Sequence, residues 1–404
     1  MAQIIPEVPT DILIDILSRI PPKSLLPFRS VCYAWRLLID SNEFINIHLK
    51  KSQETNSNSS IILAGLGIYV VDLDTKDEYV ALELTPPVKF FEISSSINGL
   101  FLVMSDKNDS PLIWNPSTGE LVAIPSSPVE YPHGTLPGSA YETYGFGFDS
   151  KSDEFKVVKS VKCKGYDYNW MNCETKVFSL KSNSWKNIDD FAYPLPHKRI
   201  WGVYVEGALH CHFVMPELII IMAFNIGTET HYIVPSPNFP EGEERSETST
   251  LAEIGGCLSL VNPMNKFSVD VWVMKEYGVE KSWTKLFNVC PSLIDCNANL
   301  YPLGYSKCGR EVLLNCDDTK LFWYDLERES VVSVRVHNMP YVFYAMPFVG
   351  SLVKPWVMPR PRERSEVSID SSIKKFLLIW NCVKGDDDVG TLYSKKFIKI
   401  VDTF

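Results

Sequence analysis

Val8-Pro9-Thr10-Asp11-Ile12-Leu13-Ile14-Asp15-Ile16-Leu17-Ser18-Arg19-Ile20-Pro21-Pro22, with Phe28-Arg29-Ser30-Val31-Cys32-Tyr33-Ala34-Trp35 shortly after it, decides how this chain is organised. Thr10 can cap a helix whose first turn carries Asp11, because a short side-chain oxygen satisfies an amide left open at a helix start. Ile12, Leu13, Ile16, Leu17 and Ile20 then share one helical face, with Asp11, Asp15, Ser18 and Arg19 opposite. Pro21-Pro22 stops the helix, since a residue before proline is pushed out of the α region. Phe28, Val31, Cys32, Trp35, Leu38 and Ile39 make a second stripe. Asp40, with Glu43 three residues on, offers a cap for a third short helix carrying Phe44 and Ile47. Val8 and Ile14 lie outside these inward stripes. A unit this short buries little surface of its own. Its leftover apolar side chains predict a module that docks on a partner or on the next domain.

These residues carry a family resemblance. Pro9, residues 12–26 and residues 28–39 resemble the F-box of plant proteins. Val8-Pro9 stands for the usual Leu-Pro, Cys32-Tyr33-Ala34-Trp35 for the usual Cys-Lys-x-Trp, and Pro27 replaces a common basic residue. A proline at the first position of a helix loses no hydrogen bond, so that departure is tolerable. The likeness spans about residues 5–47. It implies docking to a Skp-type adaptor, and through it to a cullin-RING ligase. The side chains it implicates are Val8, Pro9, Ile12, Leu13, Ile16, Leu17, Pro21, Leu25, Val31 and Trp35.

Composition is that of a globular protein with room for a small module and one large domain: 404 residues, 45% hydrophobic, net charge −10. The negative balance argues against nucleic acid as a partner. No signal-peptide pattern opens the chain, and its longest apolar run, residues 218–224, is far short of the ~20 residues that span a membrane. The expected location is cytoplasmic and/or nuclear. Ten cysteines without a regular framework are then read mostly as small core residues. The sequons at Asn58 and Asn108 carry no weight in such a compartment.

Residues 50–60 are polar and aperiodic, the pattern of a linker. Beyond them helical spacing gives way to strands. Gly99, Gly147, Gly207, Gly256 and Gly304 recur at spacings of 48, 60, 49 and 48. Asn98-Gly99-Leu100-Phe101-Leu102, Glu206-Gly207-Ala208-Leu209-His210 and Gly255-Gly256-Cys257-Leu258-Ser259 are similar words. Downstream come apolar strands ending in an aromatic and a polar turn, as in Trp114-Asn115-Pro116-Ser117-Thr118-Gly119, Phe224-Asn225-Ile226-Gly227-Thr228 and Tyr324-Asp325-Leu326-Glu327. Asn and Asp in such positions are hairpin chemistry. A period near 48 with about four short strands per unit predicts propeller blades, with a two-sheet sandwich as the alternative. Five or six units fit between residue 61 and about 340.

Phe146-Gly147-Phe148-Asp149 with Asp153-Glu154-Phe155-Lys156-Val157-Val158, and Asp270-Val271-Trp272-Val273-Met274 with Ser282-Trp283-Thr284-Lys285, resemble the F-box-associated domain of the same plant proteins. Among these, chains that limit immune-receptor accumulation are similar overall, and pollen self-incompatibility F-box proteins are similar in layout. The expected fold is α+β and multidomain: a helical F-box (1–49), a linker (50–60) and a mainly β, propeller-like domain with kelch-like repeats (61–404). The tail from about 369 to 404 is expected to add strands, such as 376–382 and 397–401. Ring closure requires residues 61–63 to pair with a strand from the C-terminal part.

Catalytic patterns fare poorly. In a strand, His210 and His212 share one face while Cys211 points away, and no second ligand pair stands at zinc spacing. No Gly-x-Ser-x-Gly elbow, Gly-x-Gly-x-x-Gly or phosphate loop occurs. Asp386-Asp387-Asp388 reads as a solvated charge run and Arg360-Pro361-Arg362 as a weak nuclear signal. The expected function is a non-catalytic substrate receptor in a Skp-cullin-F-box ubiquitin ligase, with no cofactor and no metal. It would hold a target protein, an immune receptor among the candidates, through polar connections at 125–141, 162–172 and 235–250. The competing reading is a propeller for a sugar or other small ligand with an unrelated helical cap.

Overall fold

Pro9, at φ −53° and ψ 142°, occupies the cap position and passes its carbonyl to the Leu13 amide at 3.1 Å, starting α1 (Thr10–Leu17). Thr10 is thus the first helical residue and not the cap expected from its side chain. The computed structural model describes residues 9–355 apart from 56, 74–78, 87, 106–107, 190–199, 216–217, 240–245, 266–267, 291–295 and 297–298. Val8, the charged runs at 360–364 and 386–388 and the tail strands expected at 376–382 and 397–401 lie outside the described residues. The chain divides into two compact units, one with the N-terminal helices and Gly350–Val353, the other with Asn58–Val349.

In the helical unit, α2 (Pro22–Leu25) opens on a proline, whose missing N–H would have no intrahelical partner in any case. The second apolar stripe is not one helix. Leu26–Ser30 form a tight 3-10 turn, and α3 (Tyr33–Asp40) starts only after Cys32, whose sulfur accepts the Trp35 amide at 3.4 Å. Ser41, rather than Asp40, caps α4 (Asn42–Glu54), its hydroxyl accepting the Phe44 amide at 3.2 Å. Because α4 continues to Glu54 and the first strand begins at Ser59, the polar run 50–60 is only in small part a connector.

Leu17, Ile20, Leu25, Trp35, Ile39, Phe44 and Ile45 pack into one core, and Leu352 from Gly350–Val353 completes it. The buried face of α1 is turned from the expected one. Leu13 and Ile14 pack on this core, whereas Ile12 remains 51% exposed. His48 is fully buried and its Nε2 meets the Ile20 carbonyl at 2.9 Å. Burial lowers its pKa, because the charged imidazolium would lose water.

The second unit is a six-bladed propeller. Strands β1 (Ser59–Ala64), β2 (Ile68–Asp72) and β3 (Tyr79–Leu84) belong to blade 1. Blade 2 is β4 (Phe90–Ile93), β5 (Phe101–Ser105), β6 (Asn108–Trp114) and β7 (Leu121–Ala123). Blade 3 is β8 (Tyr141–Asp149), β9 (Glu154–Lys164), β10 (Trp170–Ser179) and β11 (Ser184–Ile188). Blade 4 is β12 (Val203–Val205), β13 (Ala208–Met215), β14 (Leu218–Asn225) and β15 (Thr230–Val234). Blade 5 is β16 (Thr250–Ile254), β17 (Cys257–Asn265), β18 (Ser268–Met274) and β19 (Trp283–Val289). Blade 6 is β20 (Leu300–Tyr305), β21 (Glu311–Cys316), β22 (Lys320–Asp325) and β23 (Ser330–Ser333). The two-residue β24 (Val336–His337) runs parallel to β3, and β25 (Tyr344–Val349) supplies the first strand of blade 1.

β25 pairs antiparallel with β1, Ile61 against Pro347 and Leu63 against Ala345, so the ring closes with no free edge at that seam. The expected closure of residues 61–63 on a late strand is therefore seen, with 344–349 as the closing strand. First strands of neighbouring blades approach one another, as β12, β16, β20 and β25 do, which places them around the axis. Apolar layers lie between blades rather than within them. Val271 and Phe287 of blade 5 meet Val312 and Leu314 of blade 6, and Ile62 and Val70 of blade 1 meet Phe101 and Trp114 of blade 2.

The glycine period mixes two positions. Gly99, Gly207 and Gly256 sit at φ +82°, +76° and +82° between the first and second strands of their blades, where a left-handed residue is needed. Gly147 and Gly304 lie inside first strands instead. A Cβ at Gly147 would come within 2.3 Å of the Ile226 side chain, so this glycine permits close approach of blades 3 and 4.

Candidate functional site

The ten side chains expected to meet an adaptor separate into two groups. Leu17, Leu25 and Trp35 are buried in the helical core and support the surface without belonging to it. Pro9, Ile12 and Pro21 are exposed, and Leu13, Ile16 and Val31 are half-buried. Only Val8 has no described position. The pattern missed Tyr33 and Leu37 of α3, exposed at 61% and 51%. A helical wheel begun at Tyr33 instead of Phe28 would have placed both outside, because the 3-10 turn resets the phase. Beside them an open cavity of about 610 Å³ is lined by Leu26, Arg29, Ser30, Cys32, Tyr33 and Arg36.

Charge pairs link the elements of this module around the apolar core that holds it together. Asp15 takes Arg19 at 2.9 Å and also pairs with Lys51 of α4; the Lys51 hydrogen bond is the main influence holding its carboxyl below the usual range. Arg29 reaches Asp40 at 2.9 Å and so ties the 3-10 turn to the end of α3. Apolar side chains left exposed on helices already folded around a core are suited to a partner's groove, since little backbone entropy remains to be lost on docking.

The propeller's suspected ligand tripeptide has structural partners. His210 is buried, with Nδ1 3.0 Å from the Val203 carbonyl and Nε2 2.6 Å from the Tyr277 hydroxyl. Nε2 of His212 lies 2.7 Å from the Ser249 carbonyl. Burial pushes the Cys211 thiol up to about 12. Among the described residues, one group of possible metal ligands comes together, Cys296, Cys316 and Asp317. Its two sulfurs are joined as a disulfide, with Cα atoms 6.1 Å apart. The cysteines are expected to be mostly small core residues, and this one pair, twenty residues apart in sequence, is an addition that their spacing does not announce.

The three connections expected to face a target are not alike. The first is strapped to blade 3 at its start. The Trp185 indole donates to the Pro125 carbonyl at 2.8 Å, the Lys159 ammonium to the Ser127 carbonyl at 2.6 Å, and Lys176 to the Pro128 carbonyl at 3.1 Å. Lys159 is 1% exposed and pairs with Glu142 at 3.0 Å, as a buried charge must. Lysines placed among Val157, Val158 and Val161 were the overlooked sign that β9 holds something polar. Further on, the same connection pairs with the 162–172 hairpin, Leu136 N to Lys164 O at 2.8 Å and Tyr166 N to Gly134 O at 3.1 Å. In the third connection, Pro235 accepts from Trp283 at 2.8 Å, and residues 240–245 lie outside the described residues.

Comparison with known proteins bears on both units. The family model for the F-box domain matches residues 5–46, and that for the F-box associated beta propeller domain matches residues 39–351. F-box protein CPR1 of Arabidopsis thaliana is 36% identical over 374 residues, covering 86% of this chain and 88% of the relative. F-box protein At4g22390 of the same plant is 32% identical over 371 residues, covering 86% and 90%. The F-box/kelch-repeat protein At3g23880, also from Arabidopsis, is 27% identical over 311 residues, covering 71% and 80%. A chain of a solved nidogen/laminin complex is similar at a TM-score of 0.41 and 11% identity, over 72% of this chain and 99% of that one.

Proposed function

The chain belongs to the plant F-box proteins that carry an F-box-associated β-propeller domain, and from that premise we propose that it is the substrate-recognition subunit of a Skp-cullin-F-box ubiquitin ligase. In this role the helical unit docks a Skp-type adaptor and the propeller holds a target protein while other subunits perform the chemistry. The observation that carries the proposal is the exposed set Pro9, Ile12, Tyr33 and Leu37 on a core closed by Leu17, Leu25 and Trp35. No observation among the described residues favours the alternative of a sugar-binding or small-ligand propeller. A receptor subunit of this kind requires no catalytic residue of its own. It acts where cullin-RING ligases act, in the cytoplasm, the nucleus or both. Among the described residues no helix is long and apolar enough to cross a membrane. The likeness to chains that limit immune-receptor accumulation makes such a receptor the first target to test.

Co-expression with a Skp-type adaptor tests the docking. Ile12→Asp and Leu37→Asp, both on exposed positions, are expected to abolish co-purification while the melting transition stays in place. Leu17→Ala and Trp35→Ala should abolish it by a different route, at ~2–5 kcal/mol of lost packing each. Adaptor binding that survives both surface substitutions would refute the assignment of this face.

A further inference from the structure

Each propeller blade is an antiparallel meander. Its first and third turns therefore lie at one end of the strands, and its second turn and the link to the next blade lie at the other. Exposed apolar side chains do not divide evenly between these ends. Of the large ones in turns and links, Val279 alone among the described residues sits at the first end; the others sit at the link end. They are densest at blade 3. There the 162–172 hairpin and the link before it present Tyr131, Tyr166, Tyr168, Trp170 and Met171, with Tyr166 68% and Tyr168 72% exposed. A patch this rich in aromatics is costly to leave bare and is suited to a partner.

The patch is fixed in place. Besides the two bonds to Gly134 and Lys164, the Gly165 amide donates to the Asn169 carbonyl at 2.9 Å, and Tyr168 is held at φ +64°, a left-handed backbone that bulky residues seldom adopt. Trp170 meets Tyr141 edge to face at 6.3 Å. The Lys164 ammonium lies 5.2 Å from the Trp170 ring centre, so the patch's own cation is already engaged. In sequence, Asp167 falls between the two exposed tyrosines, its exposed carboxylate accepting from the Asn169 side-chain amide at 2.8 Å, and the exposed Glu130 precedes Tyr131. Bare aromatic faces with carboxylates among them attract cations. The chain's net charge of −10 disfavours acidic partners as well.

We propose that this blade 3 platform is the docking site for the target, and that it takes a stretch of target polypeptide in which Lys or Arg is flanked by apolar side chains. The proposal rests on the receptor reading above and names the surface and chemistry of its target site.

The test uses the full chain co-purified with its adaptor, titrated with short synthetic peptides bearing Arg, Lys or Glu between Leu and Phe residues. Fluorescence anisotropy should show binding of the basic peptides over the acidic ones. The double variant Tyr166→Ser/Tyr168→Ser should weaken the Arg peptides about tenfold or more. Asp167→Asn should weaken the Arg peptides and leave a neutral analogue unchanged, and Val279→Ser at the opposite end should change nothing. Equal binding of acidic and basic peptides, or undiminished affinity in the double tyrosine variant, overturns the proposal. Adaptor co-purification is read on the same samples. Its absence in the unsubstituted chain breaks the receptor reading, whereas its presence without peptide selection breaks only the platform.

Discussion

The indole Nε1 of Trp283 donates to the carbonyl of Pro235 at 2.8 Å, joining the last strand of blade 5 to the segment that leaves blade 4. Trp185 of blade 3 makes the same bond to Pro125, just beyond blade 2. In both, an aliphatic residue and a proline end one blade, and a tryptophan on the last strand of the next reaches back to them. Proline has no N–H to satisfy, so its carbonyl is the one backbone group that needs a partner at that point.

Trp283→Phe keeps most of the apolar bulk and deletes that donor. Propeller stability should fall by about 1 kcal/mol, the net worth of one hydrogen bond. Urea unfolding of the purified chain measures it, and an unchanged midpoint would show that the bond is replaced by water.

Gly147→Ala tests the approach of blades 3 and 4. A methyl there meets Ile226, buried at 0% exposure, within 2.3 Å. Overpacking of this kind costs roughly 1–3 kcal/mol. Combining it with Ile226→Ala should recover part of that loss, and strict additivity of the two changes would refute the contact as its source.

Leu352→Ala removes a core side chain of the helical unit supplied from beyond the propeller strands. The cost should be ~2–5 kcal/mol. Hydrogen exchange should quicken at the amides of α1, α3 and α4 and stay unchanged in β5, β9 and β13. Uniform quickening throughout the chain would instead indicate that the two units unfold together.

His210 sets a pH dependence. Burial pulls its pKa down to about 4, against about 6.5 in the unfolded chain. Above the unfolded value the imidazole is neutral in both states. As pH falls below it, only the unfolded chain takes up the proton, so stability is lost between about pH 6.5 and 4 and levels off beneath. The loss from this group is about 3 kcal/mol. His48 acts in the same direction in the helical unit. His210→Gln should flatten the slope of stability against pH across that window, and an unaltered slope would assign the acid sensitivity elsewhere.

Several features could be read in advance because their causes are local. Asn115 and Asn225 each accept amides two and three residues ahead, and Asp325 does the same with Glu327 and Arg328, so each polar turn word is an Asx turn closing a hairpin. The helix stop at Pro21-Pro22 and the apolar content of α1 and α3 were equally plain. Other features depended on distant partners. Whether Thr10 or Pro9 capped α1, and whether Ile12 or Ile14 turned inward, was settled by the core that α3, α4 and Leu352 complete.

By itself the sequence determined the order of a helical module before a β repeat, the hairpin chemistry of each blade and the lack of familiar catalytic motifs, because these follow from spacing and from bonds spanning a few residues. Tertiary structure alone decided between five blades and six, that 344–349 is the strand closing on β1, that Lys159 and Lys176 strap the link to blade 3, and that exposed aromatics gather at one end of the ring. Those outcomes join residues far apart in the chain. Loop-closure entropy opposes each such contact, and only simultaneous burial between neighbouring blades outweighs it, so no local pattern announces them.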